Sequence, residues 1–399
     1  MNILIVGWFW DLVRDLTEDP SISVTVLEEP SLVSVVPARY PRIEARYQQS
    51  TDYREAVARL GEPTSFDLIL AGREYGVVAA QWLSDRYSLP SVGNVATRAS
   101  TDKATFRREL EQSELPTVRS EPVRSPADVK RFWGGNPIVL KPANRHASIG
   151  VIQISRPEDI EYAWRAATTA GEGTASIDRE LDWKYIAEEW VPGKDYSVES
   201  VFFKDGVFHN VTEQTLVGGG RFTPVRHIVP APLSDTESRT LLDAQHLLAK
   251  AVGIERGIVH AEWKVDGSKC WPIEFAVRYP GDELSLLIKN ATGVNLAQAW
   301  VDSLQGRDFN LAKNKTESAG VAFIQHPTGR YVKIDGMPSL GSPGVIGVDW
   351  CATPGQDLLP LDDSGARMGF IAVQADNQAK VADLLTAYEE RIDISVESV

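Results

Sequence analysis

The sequence predicts a mixed α/β and α+β protein of two or three domains, on three observations. Apolar runs at 2–7, 23–29 and 66–72 alternate with helical stretches, the pattern of an open α/β sheet. From about residue 184 the pattern changes to alternating strands closed by Asp-Gly turns, one around Asp205-Gly206 and one around Asp266-Gly267. Residues 318–399 are turn-rich and β-like, and end in the helical segment NQAKVADLLTAYEER. A chain of 399 residues is long enough for a substantial core.

The formal charge of −14 argues against a general nucleic-acid or anionic-membrane surface, which needs a basic excess. No apolar run approaches the length that spans a bilayer, so neither nucleic acid nor membrane is an expected partner. Cys270 and Cys351 stand far apart with no metal-ligand spacing, which fits a reducing, cytoplasmic setting without a disulfide framework. NILIVGWFW has no basic flank and meets Asp11 at once; it reads as a first strand rather than a leader. The Asn-x-Ser/Thr matches at Asn210, Asn290 and Asn314 are read as chance.

Along the chain, Gly7 ends the first strand, but GWFWD lacks the further glycines of a dinucleotide fingerprint. Glu74 sits where a strand gives way to a helix. That place faces the ligand cleft in open α/β sheets, and it equally suits a first-turn acid complementing the helix dipole. This first unit closes near residue 96. Thr101-Asp102 then caps a helix, DKATFRRELEQSEL, whose first turn carries Lys103 against the dipole, a local misfit that suggests another use. After a helix at 126–133, Lys141-Pro142 ends a strand, and Ser148 and Gly150 precede the next one. The loop between could be a flap over phosphates or an ordinary hairpin tip. A strand into Glu188-Glu189 reaches a Pro-Gly break before Asp195 and a second strand. A Gly-rich turn then leads to Arg221, Arg226 and His227. Helices are expected at 234–253 and 285–304, and a polar connector, QGRDFNLAKNKTES, follows.

The hairpin in HAEWKVDGSKCWPIEFAVRYPGDEL carries Glu262, Glu274 and Arg278 on strands 258–264 and 270–278. A two-residue loop, 266–267, would turn the two glutamates to opposite faces. A three-residue loop, 266–268, would make them diagonal neighbours able to share one hard cation. The odd-numbered loop is the expectation. Solvated acids paired with Lys264 or Lys269 are the alternative. An acid between Ile273 and Phe275 is costly to bury alone, which favours a metal.

In this order and spacing, Asp102-Lys103, Lys141-Pro142 with Ser148-Ile149-Gly150-Val151, Glu188-Glu189-Trp190-Val191 with Gly193 and Asp195, then Glu262, Glu274 and Arg278, resemble the ATP-grasp superfamily over most of the chain. The resemblance implies an ATP-grasp fold with an N-terminal open α/β domain (1–96), a two-lobed ATP-binding core (97–305) and a small C-terminal β-rich piece (306–399). It implies that Lys103, Lys141, Ser148 and Gly150 hold phosphates. Glu188, Glu189 and Val191 would then face adenine, Asp195 ribose, and Glu262 and Glu274 magnesium, with Arg278 steadying the reacting groups. The cofactors it implies are ATP and Mg2+, two ions, with Mn2+ as a substitute. Many members carry Glu-x-Asn-x-Arg at the second acid; here Ala276 replaces the Asn, a form similar to that of L-amino-acid ligases. Arg145 and Ala147 also stand where the flap usually has glycines.

The resulting expectation is a carboxylate–amine ligase that activates a small acid as an acyl phosphate and releases ADP and phosphate. Its partners would be a small carboxylate and an amine, and its assembly a homodimer. Specificity is expected around Glu74, Arg221, Arg226, His227 and Asp282. The alternatives are a carboxylase, a purine-pathway or D-amino-acid ligase, or a nucleotide-binding protein without turnover.

Overall fold

The computed structural model describes residues 1–48, 52–61, 64–171, 182–308 and 314–397. The chain opens on β1 (Asn2–Val6), β2 (Ser23–Glu28), β3 (Arg42–Glu44) and β4 (Leu68–Ala71), a parallel sheet ordered β3-β2-β1-β4. β1 and β4 are almost wholly buried apolar runs, as a sheet covered on both faces requires. Just past β4, Gly72 lies against β1's exit: a Cβ there would stand 2.0 Å from the Gly7 carbonyl oxygen. Only glycine permits that approach, which brings Arg73 and Glu74 to the sheet's C-terminal edge.

A second, antiparallel sheet is built from β5 (Ser120–Val123), β6 (Ile138–Pro142), β7 (Ile152–Ile154) and β8 (Tyr185–Glu189), ordered β5-β8-β6-β7. The rest of the core is β9 (Lys194–Phe203), β10 (Gly206–Gly218), β11 (Arg221–Val229), β12 (Gly257–Asp266) and β13 (Lys269–Ala276). The C-terminal part adds β14 (Ser318–Phe323), β15 (Gly329–Asp335), β16 (Val345–Trp350), β17 (Asp357–Leu358), β18 (Gly369–Ala375) and β19 (Asp393–Glu397). β14, β18 and β16 extend the core strands into one eight-stranded sheet, β13-β12-β9-β10-β11-β14-β18-β16. Three of the C-terminal strands therefore continue the core sheet, and β17-β15-β19 form a separate one. A continuous apolar cluster joins Ile3 and Leu70 of the first sheet to Val201, Ile258 and Ala319 of the large one.

Several local expectations need correction. The helix expected at 285–304 is two helices, Leu284–Thr292 and Leu296–Leu304. Gly293 closes the first at φ +81°, and the Asn295 side chain accepts from the Ala297 and Gln298 N–H groups to start the second. The chain does not end on its last helix, Gln378–Glu389, because β19 follows and pairs with β15. Residues 309–313 of the polar connector lie outside the described residues. By contrast, the Asp102 cap is as read: its Oδ1 accepts from the Thr105 N–H at 2.9 Å and opens the helix Lys103–Leu110.

Candidate active site

The carboxylates of the organising hairpin face each other, though not by the turn expected. Asp266 pairs with Lys269, so the turn is Gly267-Ser268, an even-numbered loop with Gly267 at φ +59°. Such a turn alone would leave the two acids on opposite faces. Between Trp263–Pro272 and Glu262–Glu274 the register shifts by one residue, leaving Ile273 as a bulge. Pro272 has no N–H for the ladder, and the slip falls beside it. Glu262 and Glu274 become direct cross-strand partners rather than diagonal ones.

They line a cleft of about 380 Å³, a usual size for a small-molecule site, together with Lys141, Glu188, Val191 and Arg278. Lys103, 6% exposed, holds the Glu274 carboxylate at 3.0 Å and donates to the Arg145 carbonyl at 2.6 Å. Burial raises the Glu274 pKa, but the positive charges of Lys103, Lys141 and Arg278 outweigh it and hold the group ionised.

Arg107, which sequence reading passed over, organises the cleft floor. Its Nε and Nη2 reach the Glu188 carboxylate at 2.8 and 3.1 Å, and Lys141 Nζ lies 2.5 Å from the same group. Burial opposes the Glu188 charge, yet Arg107 and Lys141 pull its pKa down to about 2. Arg107 also donates to the carbonyls of Pro272 (2.6 Å) and Ile273 (3.0 Å), so it braces the bulge that pairs the two acids. A basic residue on a buried helical face was the only signal available.

At the hinge, Val191 is buried and Glu189 exposed, and both line the cleft. Asp195 is held by Lys264 at 2.9 Å. Gly193 adopts φ +121°, where a Cβ would meet the Val265 carbonyl carbon at 2.7 Å; the close crossing of hinge and hairpin depends on it. Ser148 donates to the Phe222 carbonyl at 3.0 Å and lines the cleft. Gly150, at φ +72°, instead packs against Pro142 and the Ala167 carbonyl. Ala147 and Ser148 also adopt positive φ, so the flap keeps a glycine-like backbone without the glycines.

At the other end, Arg278 donates to Glu74 at 2.7 Å. His146, half-buried near Arg278, has its pKa lowered to about 3 by desolvation first and by nearby positive charge, and it is neutral. Asp282 lines the cleft in an αL conformation, gripped by Arg367 through two bonds. Burial opposes its charge, but Arg367 keeps it well below the usual carboxylate range. The other expected specificity residues are not brought to the cleft. His227 is fully buried, 3.3 Å from Asp282. Arg226 turns outward onto Glu389 of the last helix, and Arg221 pairs with Asp362 at a neighbouring recess. Alternation along β11 separates Arg226 from His227.

Behind the acids stands a second unforeseen group. Glu199, 0% exposed, accepts from Ser197 Oγ (2.6 Å), Thr212 Oγ1 (2.8 Å), Asn210 Nδ2 (3.0 Å) and His260 Nδ1 (3.0 Å). Burial pulls the His260 pKa down, but the hydrogen bond to Glu199 and the nearby Glu262 carboxylate raise it to about 10. The signal was a lone Glu inside the alternating apolar strand YSVESVFF.

Residues 135–285 match the model of the ATP-grasp domain, and 322–397 that of the L-amino acid ligase C-terminal domain 2. The L-amino acid ligase structure from Bacillus licheniformis superposes with a TM-score of 0.84 at 19% identity, covering 100% of this chain and 99% of that one. The chain has the ATP-grasp fold and carries an ATP-grasp domain match over residues 135–285. Carboxyaminoimidazole ribonucleotide synthase from asperigillus clavatus, solved with ATP, shares the ATP-grasp fold at a TM-score of 0.72 and 16% identity, covering 98% of this chain and 99% of that one. Among curated proteins, alanine--anticapsin ligase of Bacillus subtilis is 24% identical over 281 residues. That match covers 66% of this chain and 59% of the relative's length.

Nucleotide-bound Mg2+ takes one or two carboxylates and completes its octahedron with phosphate oxygens and water. Among the described residues no group of three or more His, Cys, Asp or Glu side chains could hold a metal unaided. Glu262 and Glu274 are such a pair of carboxylates, so the ATP-grasp cleft fits an ion that arrives with a nucleotide.

Proposed function

We propose that this chain is an ATP-dependent, ADP-forming carboxylate–amine ligase that joins an amino acid, or a related small acid, to an amine. The observation that carries the reading is the convergence of Glu262, Glu274, Lys141 and Arg278 on one cleft, with Lys103 holding Glu274 from behind. A carboxylate is a poor electrophile at neutral pH. Its oxygen attacks the γ-phosphorus with ADP leaving; the amine nitrogen then attacks the acyl carbon, phosphate leaves, and the amine proton is lost. Phosphoryl transfer of this kind requires positioning and charge neutralisation more than covalent help.

Lys103 and Lys141 sit where they can hold the phosphate chain, each already oriented by a carboxylate. Arg278, oriented by Glu74, presents its guanidinium to the reacting carboxyl end. Val191 and Glu189 bound the adenine side and Asp195 the ribose side, with Lys264 orienting Asp195. Glu262 and Glu274 would hold Mg2+, two ions in this reading with Mn2+ as a substitute; such ions supply neutralisation of phosphate charge. The division near residues 96 and 305, a cytoplasmic location and a homodimeric assembly belong to the same proposal. Among the described residues no helix is long and apolar enough to cross a membrane.

The test is a phosphate-release screen over pairs of free amino acids and small diacids with ATP and Mg2+. A pair that releases phosphate and forms an amide product supports the ligase. Nucleotide binding without phosphate release from any pair supports a silent nucleotide-binding protein instead.

A further inference from the structure

Two rows of side chains cross the core sheet on one face. In the first, Asn210, Glu199, His260 and Ala276 are successive partners across β10, β9, β12 and β13. In the second, Thr212, Ser197, Glu262 and Glu274 stand alongside in the same four strands. The bulge at Ile273 brings the last strand into step, so His260 is flanked by the buried Glu199 on one side and the methyl group of Ala276 on the other. Two of the four donors around Glu199, Asn210 and His260, are its row neighbours, and the other two, Ser197 and Thr212, stand in the adjacent row. That carboxylate is therefore a fixed anchor, and it sets the His260 ring by accepting from Nδ1. The other ring nitrogen, Nε2, lies at the cleft wall 3.8 Å from Glu262 Oε1. Glu274 is already oriented by Lys103, whereas Glu262 is half-exposed and His260 is its only ion-pair neighbour among the described residues. Ala276 offers no polar atom to either row.

We propose that His260 is a positioning residue. Anchored by Glu199, it steers the Glu262 carboxylate toward the metal–nucleotide site and gives that end of the site the polar support that Ala276 lacks. The inference rests on the reading of Glu262 and Glu274 as metal ligands. A side chain that orients a metal ligand from behind is typically worth about 10- to 100-fold in metal affinity.

The test measures nucleotide binding with and without metal, using Mn2+ as an electron paramagnetic resonance probe and calorimetry with ADP. His260→Ala should weaken Mn2+·ADP binding by about 10- to 100-fold and leave metal-free ADP binding unchanged. In turnover assays the Mg2+ concentration at half-maximal rate should rise more than kcat falls. His260→Gln, similar in size and retaining a donor nitrogen, should lie between wild type and Ala, and it carries the test if the Ala variant does not fold. Wild-type Mn2+·ADP affinity in both variants would overturn the proposal. So would an equal loss of metal-free and metal-dependent binding, the mark of a general packing role. Glu262→Gln separates the two levels: if it too binds Mn2+·ADP normally, the ligand reading fails and takes the His260 inference with it. If it loses binding while both His260 variants keep it, the His260 inference alone fails.

Discussion

Arg107 grips Glu188 with two parallel bonds, Nε to Oε1 at 2.8 Å and Nη2 to Oε2 at 3.1 Å, while its remaining donors hold the bulged backbone at Pro272 and Ile273. One buried side chain thus joins the hinge strand to the hairpin that carries both cleft acids. Arg107→Met keeps most of the volume but strands a carboxylate that is 3% exposed. Removing one partner of a buried pair costs about 3–5 kcal/mol. Urea unfolding should show a loss of that order, together with weaker metal-dependent nucleotide binding. An unchanged midpoint would mean that Lys141 alone satisfies Glu188.

The same cluster predicts an acid limit. The Glu188 pKa in the folded protein, about 2, lies below its ordinary value of 4.5. A depressed carboxylate contributes stability that is fully present above its unfolded pKa and is lost as pH falls through the folded one. Stability should therefore decline between about pH 4.5 and pH 2. Glu188→Gln should flatten that part of the profile. An unaltered slope would show that Glu188 is not the titrating group.

Glu274→Gln keeps the shape and removes the charge, and an amide is a weaker ligand for a hard dication. Turnover should be abolished while metal-free nucleotide binding survives. Ala276→Asn, on the row of His260, should be tolerated and should lower the Mg2+ requirement. Near-normal turnover of Glu274→Gln across a magnesium titration would remove Glu274 from the metal site.

Gly193→Ala should destabilise the protein by more than about 1 kcal/mol, because φ +121° and the Val265 backbone both exclude a methyl group. Thermal unfolding checks this directly, and Gly267→Ala, with open space around its Cβ position, is the control for positive φ alone.

Local chemistry was legible in the sequence wherever one residue sets its own surroundings. Asp102 caps its helix, Lys141-Pro142 closes its strand, and the lysines and paired acids mark the cleft. What escaped were features created by distant contacts. The bulge at Ile273 depends on Pro272 and on an arginine from another part of the chain. The loop count alone therefore pointed to the wrong turn, although the acids still meet. Glu199 looked like one alternating residue among many, since its four partners come from three strands. Arg221, Arg226 and His227 read as a basic patch, but the adjacent positions 226 and 227 face opposite ways, and acids on the last helix and on the C-terminal loop take up the two arginines. Gly293 could not announce a helix break without the Asn295 cap beyond it.

The central claim is acyl-phosphate chemistry in this cleft. Its most direct test uses a substrate pair found by the screen, with the carboxylate oxygens labelled with oxygen-18 and the products followed by phosphorus-31 NMR. Attack of the carboxylate on the γ-phosphorus predicts ADP and inorganic phosphate as products, with one labelled oxygen in each phosphate. AMP and pyrophosphate, with the label in AMP, would contradict it.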